Sequence, residues 1–207
     1  MTDKPVIESV EAGETGTTLL GRIKNKDPDG WERFVHLYSP LIFRWCRQSG
    51  LSETDAADVG QEVFQAVLRG IANFRRERPG DTFRGWLRTI VQNKLRDRKR
   101  QLIPGGIGVG GEAETLTYLN AAAPADLPEL DDSALDDELM LMRRAVDMVL
   151  VDYDDNTRQA FLRVVAGEEE PAAVAVALGM TVNMIYLAKS RIKRQIREEF
   201  EGLLETT

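Results

Sequence analysis

The feature that most constrains this chain is a stretch near its middle, residues 102 to 134, where no apolar periodicity survives. It contains Pro104-Gly105-Gly106 and Gly108-Val109-Gly110-Gly111, no lysine or arginine, and the acids Glu112, Glu114, Asp126, Glu129, Asp131 and Asp132. A segment of this composition buries too little apolar surface to offset the entropy of ordering it, so it reads as a flexible acidic linker. The 207 residues are thereby divided into two pieces, each of a size suited to one small domain. Residues 1 to 16 mix polar, glycine and acidic positions without a period and read as a disordered leader.

On both sides of the linker, apolar residues recur at three- and four-residue spacing, as along one face of a helix. Leu19, Leu20 and Ile23 mark a short first helix. Phe34, Leu37, Tyr38, Leu41, Ile42 and Trp45 mark a second, expected to begin near Trp31 after Asp27-Pro28-Asp29-Gly30, and to kink or break at Ser39-Pro40. Ser52 with Asp55 forms a capping-box pattern ahead of Ala56, Val59, Val63, Val67, Ile71 and Phe74. Gly60 lies inside that helix at a cost of about 1 kcal/mol relative to alanine, for which the sequence supplies no reason. Arg75 to Asp81 reads as a loop, and Thr82 as the N-cap of a helix carrying Phe83, Leu87, Ile90 and Leu95 inward.

Beyond the linker, Leu135, Leu139, Met142, Val146 and Val149 repeat at helical spacing. Ala160, Phe161, Val164 and Val165 mark another helix, expected to end at Gly167, and Glu170-Pro171 opens a third. No period-two pattern of useful length occurs. The expected fold is all-α, two small helical domains over 17–101 and 135–201 joined by the linker.

Charge is segregated in the same way. A net charge of −7 would argue against a nucleic-acid partner. Between Thr82 and Arg100, however, Arg84, Arg88, Lys94, Arg96, Arg98, Lys99 and Arg100 stand against Asp97 alone, while the linker and the start of the next helix hold only acids. One cysteine, Cys46, and one histidine, His36, leave no zinc set, no internal disulfide and no nucleophile with a base beside it. No Gly-rich phosphate loop follows a strand, so neither a catalytic residue nor a cofactor is expected. No apolar run is long enough to span a bilayer, and no signal segment is recognisable, which makes the cytoplasm the expected location.

Val174 to Ile185 has the arrangement of a helix-turn-helix. Ala175 and Ala177 would allow close packing, Gly179 the tight turn and Thr181 the cap of the second helix, with Val182, Ile185 and Ile192 turned inward. The outward face then carries Asn183, Tyr186, Leu187, Lys189, Ser190, Arg191, Lys193 and Arg194. Pattern alone fits either a DNA-reading helix or an ordinary helical hairpin with a solvated basic face.

The run Asp55-Ala56-Ala57-Asp58-Val59-Gly60-Gln61-Glu62-Val63-Phe64, then Phe74-Arg75, then Phe83-Arg84-Gly85-Trp86-Leu87-Arg88-Thr89-Ile90-Val91-Gln92-Asn93, resembles region two of bacterial RNA polymerase sigma factors. The helix-turn-helix resembles their region four, and the order, with only a linker between, points to the extracytoplasmic-function subfamily. The resemblance implies a non-enzymatic factor whose partners are core RNA polymerase and promoter DNA, with an anti-sigma factor as an optional regulator and no small-molecule substrate. It assigns Asp55, Asp58, Gln61, Glu62 and Gln65 to polymerase binding. Arg75, Arg84, Arg88, Asn93, Arg96 and Arg98 fall to the separated strand of the minus-ten element. Thr181, Asn183, Tyr186, Leu187, Lys189, Ser190, Arg191 and Arg194 fall to the minus-thirty-five duplex. Where family members commonly place Arg-Ser-Arg early in the recognition helix, this chain has Tyr186-Leu187-Ala188. The competing reading is a stand-alone helix-turn-helix regulator, which leaves the first hundred residues without a task.

Overall fold

The computed structural model describes residues 18–76, 80–102 and 134–204. The expected leader and most of the expected linker lie outside the described residues. Those described form α-helices α1 (Leu19–Lys24), α2 (Pro28–Gln48), α3 (Glu53–Gly70), α4 (Phe83–Leu102), α5 (Ala134–Leu150), α6 (Asp155–Val165), α7 (Pro171–Leu178) and α8 (Val182–Glu199), with one 3-10 turn at Ile71–Asn73. Among them there is no strand, only one isolated bridge between Glu201 and Leu204. The all-α expectation holds.

Local chemistry sets the helix starts. The Ser52 hydroxyl accepts from the Asp55 amide at 3.1 Å, Thr82 from Gly85 at 3.0 Å, Asp154 from Thr157 at 3.0 Å and Thr181 from Met184 at 3.2 Å. Each bond satisfies an amide that the first turn leaves without a partner. The second helix starts earlier than expected, since Asp27 caps it and Pro28 occupies its first turn, where the missing amide costs nothing. It also runs unbroken through Pro40. Phe34, Leu37 and Tyr38 before the proline and Leu41, Ile42 and Trp45 after it all sit in one buried stripe. Packing of that continuous stripe outweighs the lost backbone bond.

The N-terminal helices enclose a run of aromatic rings in contact. Trp31, Phe34, Tyr38, Phe64, Phe74, Phe83 and Trp86 meet with centroids 5.1 to 6.2 Å apart, mostly edge-on or tilted, the arrangements that ring quadrupoles favour. Phe83 is thus core, with Trp86 packed at its edge. A Cβ at Gly60 would meet only Ile42 Cγ2 at 3.9 Å, so packing does not require glycine there.

The inward face of α5 differs from expectation. Leu135 is 83% and Leu139 49% exposed, whereas Asp137, Leu141, Ala145 and Met148 are buried against α2. The Trp45 indole donates to the Asp137 carboxylate at 2.8 Å, and Arg44 approaches the same carboxylate at 3.5 Å. This paired, buried carboxylate fixes the rotation of α5, and a hydrophobic period cannot register it.

One apolar core therefore runs from the N-terminal helices into Leu141, Ala145, Val149, Ile192, Ile196, Phe200 and Leu203. Tyr38 donates its hydroxyl to the Leu203 carbonyl at 2.7 Å, and Arg33 donates to Glu199 at 2.7 Å. A separate small cluster of Ala160, Val174, Ala175 and Ile185 joins α6, α7 and α8. Val182 is 39% exposed and Ala177 is also exposed, contrary to their expected inward roles. At this turn Val174, Ala175 and Ile185 fill the space between the two helices, with Leu178 and Met180 at its edge. Helix α6 ends at Val165 with Ala166 as its C-cap, just before Gly167.

Candidate functional site

Three surfaces collect the residues of interest. On α3, Asp58, Gln61, Glu62 and Gln65 are exposed at i, i+3, i+4 and i+7, opposite the buried row Ala56, Val59, Val63 and Val67. Glu62 lies 3.4 Å from Lys94 yet keeps 48% of its side chain exposed. Asp55 stands apart from these four. Its carboxylate accepts from the Ser52 hydroxyl at 2.6 Å and pairs with Arg98, which ties the start of α3 to α4. The Ser52 hydroxyl first, and Arg98 second, hold that carboxyl below the usual range. Beside the acidic row, Val35, Pro40, Phe43, Ala57, Gly60 and Phe64 line an apolar groove between α2 and α3.

The second surface lies where the chain leaves the 3-10 turn. Phe74 packs on Phe83 and Trp86, which sets residues 74–76 against the start of α4. Arg75 donates to the Ala72 and Phe74 carbonyls at 2.7 and 3.0 Å, and Lys24 donates to the Phe74 carbonyl at 3.0 Å. Burial first, then Arg75 and Arg76, lower the ammonium pKa of Lys24, so this corner carries crowded positive charge. Sequence reasoning missed Lys24 and Arg76, whose guanidinium donates to the Gly202 carbonyl. Lys24 is 50 residues from Phe74 in sequence, and no local pattern could have signalled it.

The residues expected at the minus-ten strand do not form one group. Arg84 and Arg88 lie half-buried near the corner, whereas Arg96 and Arg98 lie toward the far end of α4. At 1.5 Å per residue, Arg84 and Arg98 are about 21 Å apart along the helix. Asn93 is only 7% exposed and accepts from Arg96 at 3.3 Å, so it is a buried polar group and not part of an exposed surface. Its place between Val91 and Leu95 on the inward side of α4 accounts for this.

The third surface is the helix-turn-helix. Gly179, at φ +65°, makes the left-handed turn that a side chain would strain, and the axes of α7 and α8 bend by 106°. Ile185, Ala188, Ile192 and Ile196 are buried, leaving Asn183, Tyr186, Leu187, Ser190, Arg191 and Arg194 exposed and Lys189 half-buried. Thr181 is occupied as the cap.

Burial raises the Cys46 thiol to about 11, which keeps it protonated and poorly nucleophilic at neutral pH. The described residues hold no group of three His, Cys, Asp or Glu side chains able to bind a metal. No single helix among them is long and apolar enough to cross a membrane.

Comparison with known proteins gives these surfaces a context. Residues 34–102 match the family described as sigma-70 region 2. The chain is 33% identical over 179 residues to the RNA polymerase sigma factor CnrH of Cupriavidus metallidurans, covering 84% of this chain and 85% of that protein. It is 25% identical over 163 residues to the ECF RNA polymerase sigma factor SigE of Mycolicibacterium smegmatis, covering 79% of this chain and 60% of SigE. Among solved structures, that of CnrH in complex with the cytosolic domain of CnrY aligns over 86% of this chain and 92% of that one, at 22% identity and a TM-score of 0.34. With most of its length matched to CnrH and its acidic helix and aromatic core inside the region-two match, the chain belongs to the RNA polymerase sigma factors, in their extracytoplasmic-function subfamily.

Proposed function

We propose that this chain acts in the cytoplasm as a sigma factor that attaches to core RNA polymerase by the acidic row of α3 and brings it to promoters through two cationic surfaces. The observation that carries the reading is the separation of charge: Asp58, Gln61, Glu62 and Gln65 are exposed on one helix, while cations gather at the corner of residues 74–76 and along α8. An anionic face suits a protein partner, and the cationic ones suit phosphates. Nucleotide addition belongs to the polymerase, and this chain contributes binding and strand separation.

Lys24, Arg75, Arg84 and Arg88 are assigned to the backbone of the opened minus-ten strand, since single strands are held by cation-lined surfaces. Arg96 and Arg98, about 12 to 21 Å further along α4 than Arg88 and Arg84 by helix rise, are assigned to the flanking duplex. The domains are taken as 17–101 and 135–201, joined by the linker. An anti-sigma factor completes the proposed partners.

A stand-alone regulator would need no exposed acidic row and no second cationic corner. Purified chain added to core polymerase is expected to retain the core subunits on an affinity matrix and to start transcripts at fixed positions from a random promoter library. A folded chain that does neither overturns the proposal.

A further inference from the structure

The recognition helix is divided in a way that bears on which promoters it accepts. Asn183, Leu187, Ser190 and Arg194 fall at i, i+4, i+7 and i+11, one line along α8 directly opposite the buried Ile185, Ala188, Ile192 and Ile196. The first two turns carry no cation. They expose Asn183, with Met184 at 49%, Tyr186 at 54% and Leu187 at 47%. From Lys189 onward the same helix carries Lys189, Arg191, Lys193, Arg194 and Arg197. A recognition helix sets its N-terminal end against base edges and its flanks against phosphates. The cationic half thus marks a polyanion as occupant, and the apolar half lies where bases would be read.

In the major groove, thymine differs from the other bases by a C5 methyl that apolar side chains contact, adenine offers the N6/N7 pair that an asparagine amide matches, and guanine is read chiefly by arginine or lysine. The leading turns hold the first two kinds of reader and none of the third. Resting on the promoter-binding role proposed above, we infer that Leu187, with Met184 and Tyr186, reads thymine methyl groups and Asn183 reads adenine. The upstream duplex element of this factor is then A·T-rich and chosen without an arginine–guanine pair. A protein seated on the same patch is the rival occupant, but the continuation of the exposed line into Arg194 favours DNA.

The test uses full-length chain with core polymerase and a promoter pool randomised in the upstream duplex element. Selected templates are expected to be A·T-rich. Replacing a contacted thymine by uracil removes only the methyl and is expected to weaken binding about fourfold, the worth of one buried methyl-sized group. Leu187→Ala is expected to narrow that preference, bringing the thymine and uracil forms closer in affinity, with Met184 and Tyr186 keeping the remainder. Initiation from templates that require guanine, or that tolerate uracil with the natural chain, overturns methyl readout alone, as does selection unchanged by Leu187→Ala. Absence of initiation from every template overturns the promoter-binding role itself.

Discussion

The N-terminal helices and the helix-turn-helix bury their interiors by different means. The first enclose seven aromatic rings in continuous contact, with Phe43 and Leu68 left exposed at their surface. The second shares only Ala160, Val174, Ala175 and Ile185, with Val164, Leu178 and Met180 at the edge. Small side chains bring α7 and α8 close together but remove little surface from water. The C-terminal piece therefore leans on its neighbour: Ile192, Ile196, Phe200 and Leu203 belong to the large core, so α8 serves one interior at its start and another at its end. The half with the aromatic core presents the acidic row, and the lightly packed half presents the exposed face of α8.

Substitutions separate the two interiors. Ile192→Ala in the large core is expected to cost toward the upper end of about 2–5 kcal/mol, and Ile185→Ala in the small cluster toward the lower end, as read from denaturant unfolding. Equal losses would erase the contrast. At the junction, Trp45→Phe removes the indole donor from the buried Asp137 carboxylate and is expected to cost about 1–3 kcal/mol. Adding Asp137→Leu should recover much of that loss, since the buried carboxylate goes with its donor while Arg44 keeps Asp136 at 3.5 Å. A double variant no better than the single would place the stabilisation elsewhere.

Smaller effects sharpen the picture. Gly179→Ala puts a side chain at φ +65° and is expected to cost about 1 kcal/mol, seen as earlier loss of the C-terminal helices in hydrogen exchange. The smallest concerns Asp55, whose folded pKa lies below its ordinary value of 3.8 because of the Ser52 hydroxyl and then Arg98. A depressed folded pKa means that the contribution is present at neutral pH and is lost as pH falls below the ordinary carboxylate range toward the folded value. Asp55→Asn should flatten the acid limb of the stability profile slightly, and less so at high salt, because the half-buried pair still reaches solvent.

How legible this was depended on the distance over which each feature is decided. Ser52, Thr82 and Thr181 were readable as caps because their partners lie three residues away. The stripes of α2, α3 and α4 were readable because large apolar residues dominate them. The rotation of α5 was not, because Trp45, 92 residues away, decides that Asp137 turns inward. Pro40 misled because the backbone penalty is local while the compensating packing is spread along the helix. Of the residues expected at sites, Asp58, Gln61, Glu62 and Gln65 on α3 and most of those on α8 are exposed. Asn93 proved buried, Arg98 and Asp55 proved partners of each other, and Lys24 joined the cationic corner through the fold alone.

The central claim is that the acidic row of α3 holds the polymerase. Asp58→Arg combined with Glu62→Arg tests it most directly, by retention of core subunits alongside circular dichroism of the purified variant. The account predicts unchanged helicity with retention reduced at least tenfold. A variant that keeps its helices and still holds core polymerase like the natural chain would contradict it.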